Sequence, residues 1–505
     1  MNQSRPTLAA SDAVFAWCLR SAQRMERAGD AERAALWAYV AAGTGSYYGH
    51  SRLCSPPLES LVARLGAVAI EAMPAAEPQR ARRRWLHVLS ASGTIGGHTA
   101  LARRWIALDR SNDVHDLALT MQPIDAADPA LTSTATARGG SVVSLASERA
   151  LIERAAKLRR LARASADVVV LHAHQWDVVP SLAFAAAGGP PVLVLNHADH
   201  AFWVGGGVAD MVVDIRDSGL ALSKRFRGVA RSALLPIPLE DAGVAALDRS
   251  RAAQRLGDPS LLDAGLVLLT IGSGYKYRDV PGLDFPQALV RIVEALPDAR
   301  VVAVGPEPDD ALWQSVAART SGRVRAVGPD VQLRAWHEAA DLYLEGFPVG
   351  SYTAMLEVGL AGRAIVRKPL LAPADELPVD RGAIAAVEPP VSPAAYVDVA
   401  LAYARDAGSR SRDAAPTRAA IVATHTGSGW NEHLERLRAV LPSTHAPRVP
   451  GEVPPLSQGL LDYWASFHAT LRAETALQFA VRTAQSQGLQ VRTDIALREA
   501  IDASK

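Results

Sequence analysis

The chain has 505 residues, a formal net charge of +1, and a composition that is 49% hydrophobic and 21% charged. This length predicts two or three globular domains, and the charge balance argues against a nucleic-acid-binding protein, which usually carries a concentrated basic surface. With only two cysteines, no disulfide framework and no metal site are expected. No signal peptide and no apolar run long enough to span a bilayer is found, so we expect a cytoplasmic protein, with peripheral membrane contact left open.

Residues 1–80 are predicted to form an N-terminal helical module. Apolar residues recur at helical spacing after Ser11, a second helix is expected from Asp30 to Ala42, and a third covers Ser60–Ala72. The glycine-containing stretch Gly43–Tyr48 is expected to end the second helix. Two roles stay open for the module: a packing cap on the next domain, which we favour, or a docking surface for a partner.

From Arg84 onward, short apolar runs alternate with helical stretches. In the first set, strands are predicted at Trp85–Ser90, Val114–Met121, Ala166–His172, Pro191–Asn196 and Met211–Ile215. After a connector, a second set is predicted at Leu266–Ile271, Arg300–Val304, Val324–Val327, Leu342–Leu344 and Ala364–Val366. Such alternation predicts parallel sheets with helices on both faces. The fold class is therefore α/β, with two Rossmann-like lobes and a ligand-binding cleft between them.

A glycine-rich turn follows the first predicted strand of the first lobe. Gly96 and Gly97 allow close approaches of the backbone, and His98 lies on the first turn of the helix that follows. Amide groups at such a helix start can face an anion. The alternative interpretation is a solvent-facing histidine on an ordinary helical turn.

The segment LNHADHAFW lies at the carboxyl end of another predicted strand, where sites gather in parallel sheets. It contains His197, Asp199 and His200, and a carboxylate beside an imidazole can orient it as a proton acceptor. No further ligand at a characteristic spacing supports metal binding. A neighbouring strand end, LHAHQWD, carries His172, His174, Gln175, Trp176 and Asp177, which are expected to line the same cleft as contacts or as architecture.

The loop IGSGYKYRD follows the first strand of the second lobe. Gly272 and Ser273 give it a flexible backbone, and Lys276 comes directly afterwards, with Arg278 as the second basic candidate. One lysine on such a loop can stabilise negative charge on a leaving group. The G-x-x-x-x-G-K-[ST] spacing of a phosphate-binding P-loop is absent.

The most informative stretch is DLYLEGFPVGSYTAMLEVGLAGRAIVRKP, from Asp341 to Pro369. A short strand leads into a loop, and a helix is predicted from Thr353 to Ala361. Gly350, Ser351 and Tyr352 precede this helix, so its exposed amides and dipole favour an anion beside them. An apolar run, F-P-x-G, small polar residues, a helix and G-x-x-I-V together resemble the donor-site segment of GT-B glycosyltransferases. The stretch is most similar to the O-GlcNAc-transferase-like and bacterial adhesin-glycosylating branch.

The resemblance implies a division of labour along the chain. Residues 81–240 would form the acceptor-side lobe, 262–440 the nucleotide-sugar donor lobe and 455–505 a C-terminal helical tail. In the donor lobe, the residues implied to contact the diphosphate or the nucleotide are Gly272, Ser273, Lys276, Gly328, Gly350, Ser351, Tyr352 and Thr353. In the acceptor lobe, Gly96, Gly97 and His98 would border the reacting sugar, and Asp199 or His200 would assist deprotonation.

The implied reaction moves a sugar from a nucleotide diphosphate to an acceptor hydroxyl or amide. Glu345 and Glu357 do not match the spacing of the glutamate pair in retaining enzymes, which favours inversion. No D-x-D pattern stands out, so a metal-independent reaction is expected, with a UDP-sugar as the favoured donor and no further cofactor. The acceptor, a protein or a glycan, is not determined. The alternatives are a non-hydrolysing UDP-sugar epimerase and a catalytically inactive GT-B binding protein.

Overall fold

The computed structural model describes residues 8–70, 82–94, 97–278, 282–370, 380, 382–461 and 475–491. The chain forms two compact units. The first unit comprises Met1–Pro238 and Asn431–Lys505, and the second unit comprises Leu239–Trp430.

Three helices open the first unit: α1 (Leu8–Arg27), α2 (Ala31–Tyr48) and α3 (Pro56–Ala69). The predicted end of the second helix at Gly43 is wrong, because α2 continues to Tyr48. The two glycines of this stretch serve packing. A Cβ atom at Gly45 would lie 2.9 Å from the Phe202 ring, and one at Gly43 would lie 3.3 Å from the Phe479 ring. Their missing side chains let two aromatic rings press against the helix.

The N-terminal helices are integrated into the first unit. The buried carboxylate of Glu59 on α3 accepts hydrogen bonds from the amides of Gly205, Gly206 and Gly207, at 2.8, 3.1 and 3.0 Å. Apolar residues of all three helices share one hydrophobic core with the first sheet. This arrangement is that of a packing cap, and the three glycine amides show that the cap also fixes the loop after Asp199.

The first sheet contains seven parallel strands in the order β3-β2-β1-β4-β5-β6-β7. These strands are β1 (Arg84–Leu89), β2 (Val114–Leu119), β3 (Val142–Ser144), β4 (Val168–Leu171), β5 (Val192–Asn196), β6 (Met211–Asp214) and β7 (Ser232–Leu234). The helices between them are α4 (Gly97–Leu108), α5 (Pro129–Ala137), α6 (Leu151–Ser165), α7 (Val179–Ala183) and α8 (Asp217–Phe226). The sequence analysis missed β3 and β7, which are three-residue edge strands with partly buried side chains and therefore lack a strong apolar run.

The second unit contains five parallel strands in the order β10-β9-β8-β11-β12. These are β8 (Leu266–Ile271), β9 (Ala299–Val304), β10 (Val324–Ala326), β11 (Leu342–Leu344) and β12 (Ala364–Val366). Its helices include α9 (Arg249–Leu256), α10 (Phe285–Ala295), α11 (Ala311–Arg319), α12 (Leu333–Ala339), α13 (Tyr352–Leu360), α14 (Pro393–Arg405) and α15 (Ala407–His425). Two parallel sheets flanked by helices confirm the predicted fold class.

The described chain continues with α16 (Gly427–Ala439), helical residues at 458–461, and α17 (Ala476–Ser486). The chain returns to the first unit within α16, at Asn431. On α17, Phe479 is buried against α2. Residues 462–474 and 492–505 of the predicted C-terminal helical tail lie outside the described residues. Within the described ranges, every helix is too short or too polar to cross a lipid bilayer.

Candidate functional site

Four loops meet at the carboxyl edge of the second sheet, where ligands bind in parallel α/β folds. Gly272 follows β8, Gly305 follows β9, and Gly328 lies two residues beyond the end of β10. Gly305 has a positive φ of 116°, and a Cβ atom there would lie 2.3 Å from the carbonyl oxygen of Gly272. Its amide also donates a 2.8 Å hydrogen bond to the carbonyl oxygen of Gly328. These contacts bring the predicted positions Gly272 and Gly328 to one edge.

The fourth loop, between β11 and α13, supplies a hydroxyl beside a lysine. Lys276 Nζ donates a 3.0 Å hydrogen bond to Ser351 Oγ across 75 residues of chain. Ser351 directly precedes α13, and its side chain makes no capping hydrogen bond to that helix. A Cβ atom at Gly272 would lie 2.5 Å from Ser351 Oγ, so any larger residue there would displace the hydroxyl. An ammonium group and the positive end of a helix dipole therefore lie side by side, which is a favourable place for an anion.

Buried groups form hydrogen bonds that stabilise the same loop. Glu345 Oε2 accepts a 2.9 Å hydrogen bond from the amide of Lys368, and Tyr396 Oη donates to the carbonyl oxygen of Glu345 at 3.2 Å. A Cβ atom at Gly350 would lie 2.1 Å from Glu345 Oε1. These contacts assign Glu345 a structural role in shaping the loop that ends at Ser351.

The remaining predicted donor-lobe residues occupy nearby positions. Tyr352 and Thr353 form the first turn of α13. Ser273 precedes the short 3-10 turn Gly274–Tyr277, which carries Lys276. Arg278 points elsewhere: its side chain is 48% exposed and pairs with Asp310 at 3.5 Å. Lys276 is therefore the better placed of the two basic candidates.

In the first unit, three imidazoles cluster at the carboxyl edge of the sheet. The ring centroid of His98 lies 5.5 Å from that of His174 and 5.7 Å from that of His197. His174 and His197 line a pocket together with Asn196 and Trp203. Burial lowers the pKa of His197 to about 3, and the neighbouring imidazoles of His98 and His174 add to the effect. The His197 ring is therefore neutral at neutral pH and able to accept a hydrogen bond.

Asp199 is held in a two-pronged ion pair. Arg216 donates from Nε to Oδ2 at 2.6 Å and from Nη2 to Oδ1 at 2.7 Å, and His200 Nδ1 lies 3.3 Å from Oδ1. Burial acts to raise the pKa of Asp199, but the charge of Arg216 and the hydrogen bonds outweigh it and hold that pKa far below its ordinary value. A carboxylate in this setting is a weak proton acceptor, and its geometry suits the positioning of His200 and Arg216.

Solved structures of glycosyltransferases share this architecture. An O-GlcNAc transferase mutant of Thermobaculum terrenum has a TM-score of 0.50 at 18% sequence identity, covering 86% of this chain and 81% of that chain. Anabaena HepE in complex with UDP and glucose has a TM-score of 0.53 at 14% identity, covering 71% of this chain and 100% of that chain. A glycosyltransferase of Rickettsia africae has a TM-score of 0.52 at 9% identity, covering 71% of this chain and 98% of that chain.

The chain has the GT-B fold. No protein-family model matches the sequence, and no curated protein matches it significantly. The predicted resemblance to GT-B glycosyltransferases near the O-GlcNAc transferase branch is confirmed at the level of fold.

Within this GT-B fold, the glycine-rich turn of the first unit is only partly described. Gly96 lies outside the described residues, whereas Gly97 begins α4. His98 Nε2 lies 3.1 Å from the carbonyl oxygen of Ala91, which fixes its ring at the edge of the sheet. Across the part of the chain that the structure describes, no group of three or more metal-ligating side chains is arranged to hold a cation.

Sequence reasoning missed Arg216 as a partner of Asp199. Arg216 lies just beyond the carboxyl end of β6, and β6 is the neighbour of β5, which ends just before Asp199. The signal that could have found it is strand adjacency: a basic residue two positions after the next strand in the sheet.

Proposed function

We propose that the chain is a nucleotide-sugar-dependent glycosyltransferase. The observation that carries the proposal is the pairing of Lys276 with Ser351 at the start of α13, on the carboxyl edge of the second sheet. Two segments far apart in sequence there build one site with the positive charge and donors that suit an anion such as a diphosphate. The solved complexes of Anabaena HepE with UDP and glucose, and with UDP-glucose, support a UDP-sugar as the donor.

In this proposal the second unit binds the donor. The diphosphate lies against Ser351 and the amides of Tyr352 and Thr353, and the Lys276 ammonium stabilises the charge that develops on the leaving nucleotide. Gly272 and Ser273 allow the diphosphate to approach the backbone closely. Val327 and Gly328, beyond β10, would face the nucleotide base. No resident cofactor is required beyond the donor.

The first unit, with residues 81–240 as the acceptor-side lobe, would bind the acceptor hydroxyl or amide. His98 and His200 are the proposed proton acceptors that contact it, and Asp199 fixes His200 through the contact at 3.3 Å. We propose direct, inverting attack and independence of metal ions, because an ammonium and a helix dipole can supply the positive charge. A cytoplasmic location is part of the proposal, and Cys18 and Cys54 are both buried free thiols.

A donor panel tests the proposal directly. Thermal unfolding of the full chain would be followed with UDP, GDP, ADP and TDP and their sugars, because a ligand that binds only the folded state raises Tm. We expect the uridine compounds to raise it most. Mass spectrometry of mixtures with acceptor libraries, with and without EDTA, then identifies the product. Transferred sugar supports the proposal, an epimerised free nucleotide sugar indicates the epimerase, and no binding to any donor refutes donor binding itself.

A further inference from the structure

The pocket of the first unit combines apolar walls with several polar side chains. It lies where β4 and β5 end, beside α7 and the loop that begins at Trp203. Its apolar walls include Leu171, Pro180, Val194 and Val204. Besides Asp177, six polar side chains line it: His174, Gln175, Ser181, Asn196, His197 and Trp203.

Three polar atoms on residues of this lining are buried without a hydrogen-bond partner. Within the described residues, these atoms are Trp203 Nε1, Asn196 Oδ1 and His197 Nδ1. Trp203 is only 6% exposed and Asn196 only 2% exposed. Because a buried polar atom that stays unpaired is costly, three of them around one pocket indicate that the pocket takes up a polar ligand or water.

The hydrogen bonds of Asn196 determine which atom of its amide is left unpaired. Its Nδ2 donates to Asp214 Oδ1 at 2.7 Å and to Ser223 Oγ at 3.1 Å. At neutral pH, above its pKa of about 6, Asp214 is a carboxylate that accepts but cannot donate, so the amide cannot be turned round without losing this bond. The indole of Trp203 only donates. One acceptor and one donor are therefore left without a partner, and a hydroxyl group can satisfy both.

Neighbouring buried groups hold the pocket in this shape. The Cζ atom of Arg227 lies 4.5 Å from the centroid of the Trp203 ring, and its Nη2 donates to the carbonyl oxygens of Asp199 and Ala201 at 2.8 and 2.7 Å. The loop continues into the glycine amides that bond to the Glu59 carboxylate. A ligand therefore meets a preformed pocket and has little protein structure to order on binding.

The described lining presents no free charge to a ligand. Asp177 has its oxygens occupied, because Oδ2 accepts from the hydroxyls of Ser90 and Thr120 and Oδ1 accepts from a backbone amide at 2.9 Å. Burial lowers the pKa of His197 to about 3 and also lowers that of His174, so both rings are neutral at neutral pH. A neutral ligand therefore matches this lining better than an ion, whose charge would stay uncompensated.

The number of polar side chains indicates a ligand with several hydroxyl groups. A single hydroxyl forms at most three hydrogen bonds and a side-chain amide at most four, whereas six polar side chains line this pocket. A sugar offers several hydroxyls together with apolar C–H faces that suit the apolar walls. We propose that this pocket is a saccharide subsite that binds the hydroxyls of a neutral sugar, and that the acceptor is therefore a glycan and not a protein side chain.

The subsite adjoins a proton acceptor of the proposed reaction. The ring centroid of His98 lies 5.5 Å from that of His174 and 5.7 Å from that of His197, and both of these rings line the pocket. A sugar held there has its hydroxyls beside His98. The role of this sugar as the acceptor rests on the glycosyl transfer proposed above, whereas the binding of a sugar in the pocket does not.

Nuclear magnetic resonance of the full chain, labelled with 15N-tryptophan, tests the subsite, because the indole N–H of Trp203 gives its own signal. The signal missing from the Trp203→Phe variant identifies it. The methyl glycosides of glucose, galactose, mannose and N-acetylglucosamine would be titrated in turn. We expect at least one of them to shift the Trp203 signal, and a titration in which none does overturns the proposal.

Trp313 is the matched control for this measurement. Its Nε1 is also buried without a partner, but its ring packs in the apolar core of the second unit. The Trp313 signal, identified with Trp313→Phe, should not move when the sugar is added. Equal shifts of both signals would show a general effect of the sugar on the protein and contradict binding in the pocket.

The variants Trp203→Phe and Ser181→Ala should weaken sugar binding. Each removes one polar group, and the loss of one neutral hydrogen bond raises Kd about 2- to 12-fold. Trp313→Phe should leave Kd unchanged, and thermal unfolding checks that each variant is folded. Methyl glucuronide should bind more weakly than methyl glucoside, because its carboxylate finds no opposite charge on the lining. Unchanged Kd in both pocket variants overturns the subsite.

Peptides and kinetics separate this proposal from the proposed function. If short serine or asparagine peptides shift the Trp203 signal and no sugar does, the acceptor is a protein side chain and the glycan proposal is wrong. With a sugar acceptor, Trp203→Phe should raise KM for the acceptor and leave KM for the UDP-sugar unchanged. If no nucleotide sugar binds while a neutral sugar still shifts the Trp203 signal, the proposed function fails and the saccharide subsite stands.

Discussion

The substitution Lys276→Met tests the donor site most sharply. It removes the ammonium that lies 3.0 Å from Ser351 Oγ and keeps a side chain of similar length and apolar stem. The loop itself should persist, because the amide of Val349 donates to the carbonyl oxygen of Lys276, a backbone contact that the variant retains. Any loss of nucleotide affinity can therefore be attributed to the missing charge.

The expected size follows from the kind of contact. A hydrogen bond to a charged group contributes about 1.5–3 kcal/mol in proteins. Since about 1.4 kcal/mol corresponds to a factor of ten in Kd, the variant should bind UDP about 10- to 150-fold more weakly. The helix start and Ser351 remain, so binding should be weakened rather than abolished.

Isothermal titration calorimetry with UDP measures the change, and Arg278→Met provides the comparison. Both variants lose one positive charge, but Arg278 is 48% exposed and pairs with Asp310. A solvent-exposed charge contributes about 0–1 kcal/mol, so this variant should change Kd by less than about fivefold. Equal affinity of Lys276→Met and the unmodified protein, or a larger effect of Arg278→Met, would refute the assignment of the diphosphate site.

Three further predictions concern substitutions at single residues. Gly272→Ala should weaken UDP binding about two- to tenfold in the same titration, because the new Cβ, 2.5 Å from Ser351 Oγ, displaces one hydrogen-bonding hydroxyl. Burial raises the pKa of Asp214 to about 6, so the free energy of unfolding should fall by at most about 3 kcal/mol as pH rises from about 4 to 6. The variant Asp214→Asn should lack this decrease when its melting is followed by calorimetry. An unchanged pH dependence in the variant would contradict the prediction. Gly45→Ala should lower Tm, because overpacking against Phe202 costs about 1–3 kcal/mol. This cost exceeds the gain of about 1 kcal/mol from the higher helix propensity of alanine. An unchanged or higher Tm would show that the Phe202 ring moves aside.

The fold could be predicted because buried parallel strands are continuous apolar runs. Leu266–Ile271, Leu342–Leu344 and Ala364–Val366 were expected with the bounds that the structure has. The helix end expected at Gly43 was wrong for a tertiary reason. Glycine usually marks a break, but here it makes room for rings from Phe202 and Phe479, which lie far away in sequence. Local patterns hold no information about such a neighbour.

The segments of the proposed donor site could be predicted one by one, because each places glycine or small polar residues after a strand. The role of Asp199 could not. Its carboxylate follows an imidazole in the sequence, which suggests an acid–base pair, yet its strongest partner is Arg216 from the end of the next strand. Without Arg216, Asp199 could act as a proton acceptor, whereas the ion pair with Arg216 makes it a positioning residue. Only the order of the strands in the sheet shows that the two side chains are neighbours.

The buried rings of His87, His115 and His172 bond to one another and show the limit of reading motifs in loops. His87 and His115 stand inside the strands RWLHVL and VHDLAL, where they interrupt no apolar pattern strongly enough to be noticed. The register of β1 on β2 pairs Trp85 with His115 and His87 with Leu117, which offsets the two histidines by two residues and so leaves their rings on the same face. Imidazoles at 0% exposure are costly to bury unless their polar atoms find partners, and here the three rings bond to one another and His115 bonds to the Asp109 carboxylate.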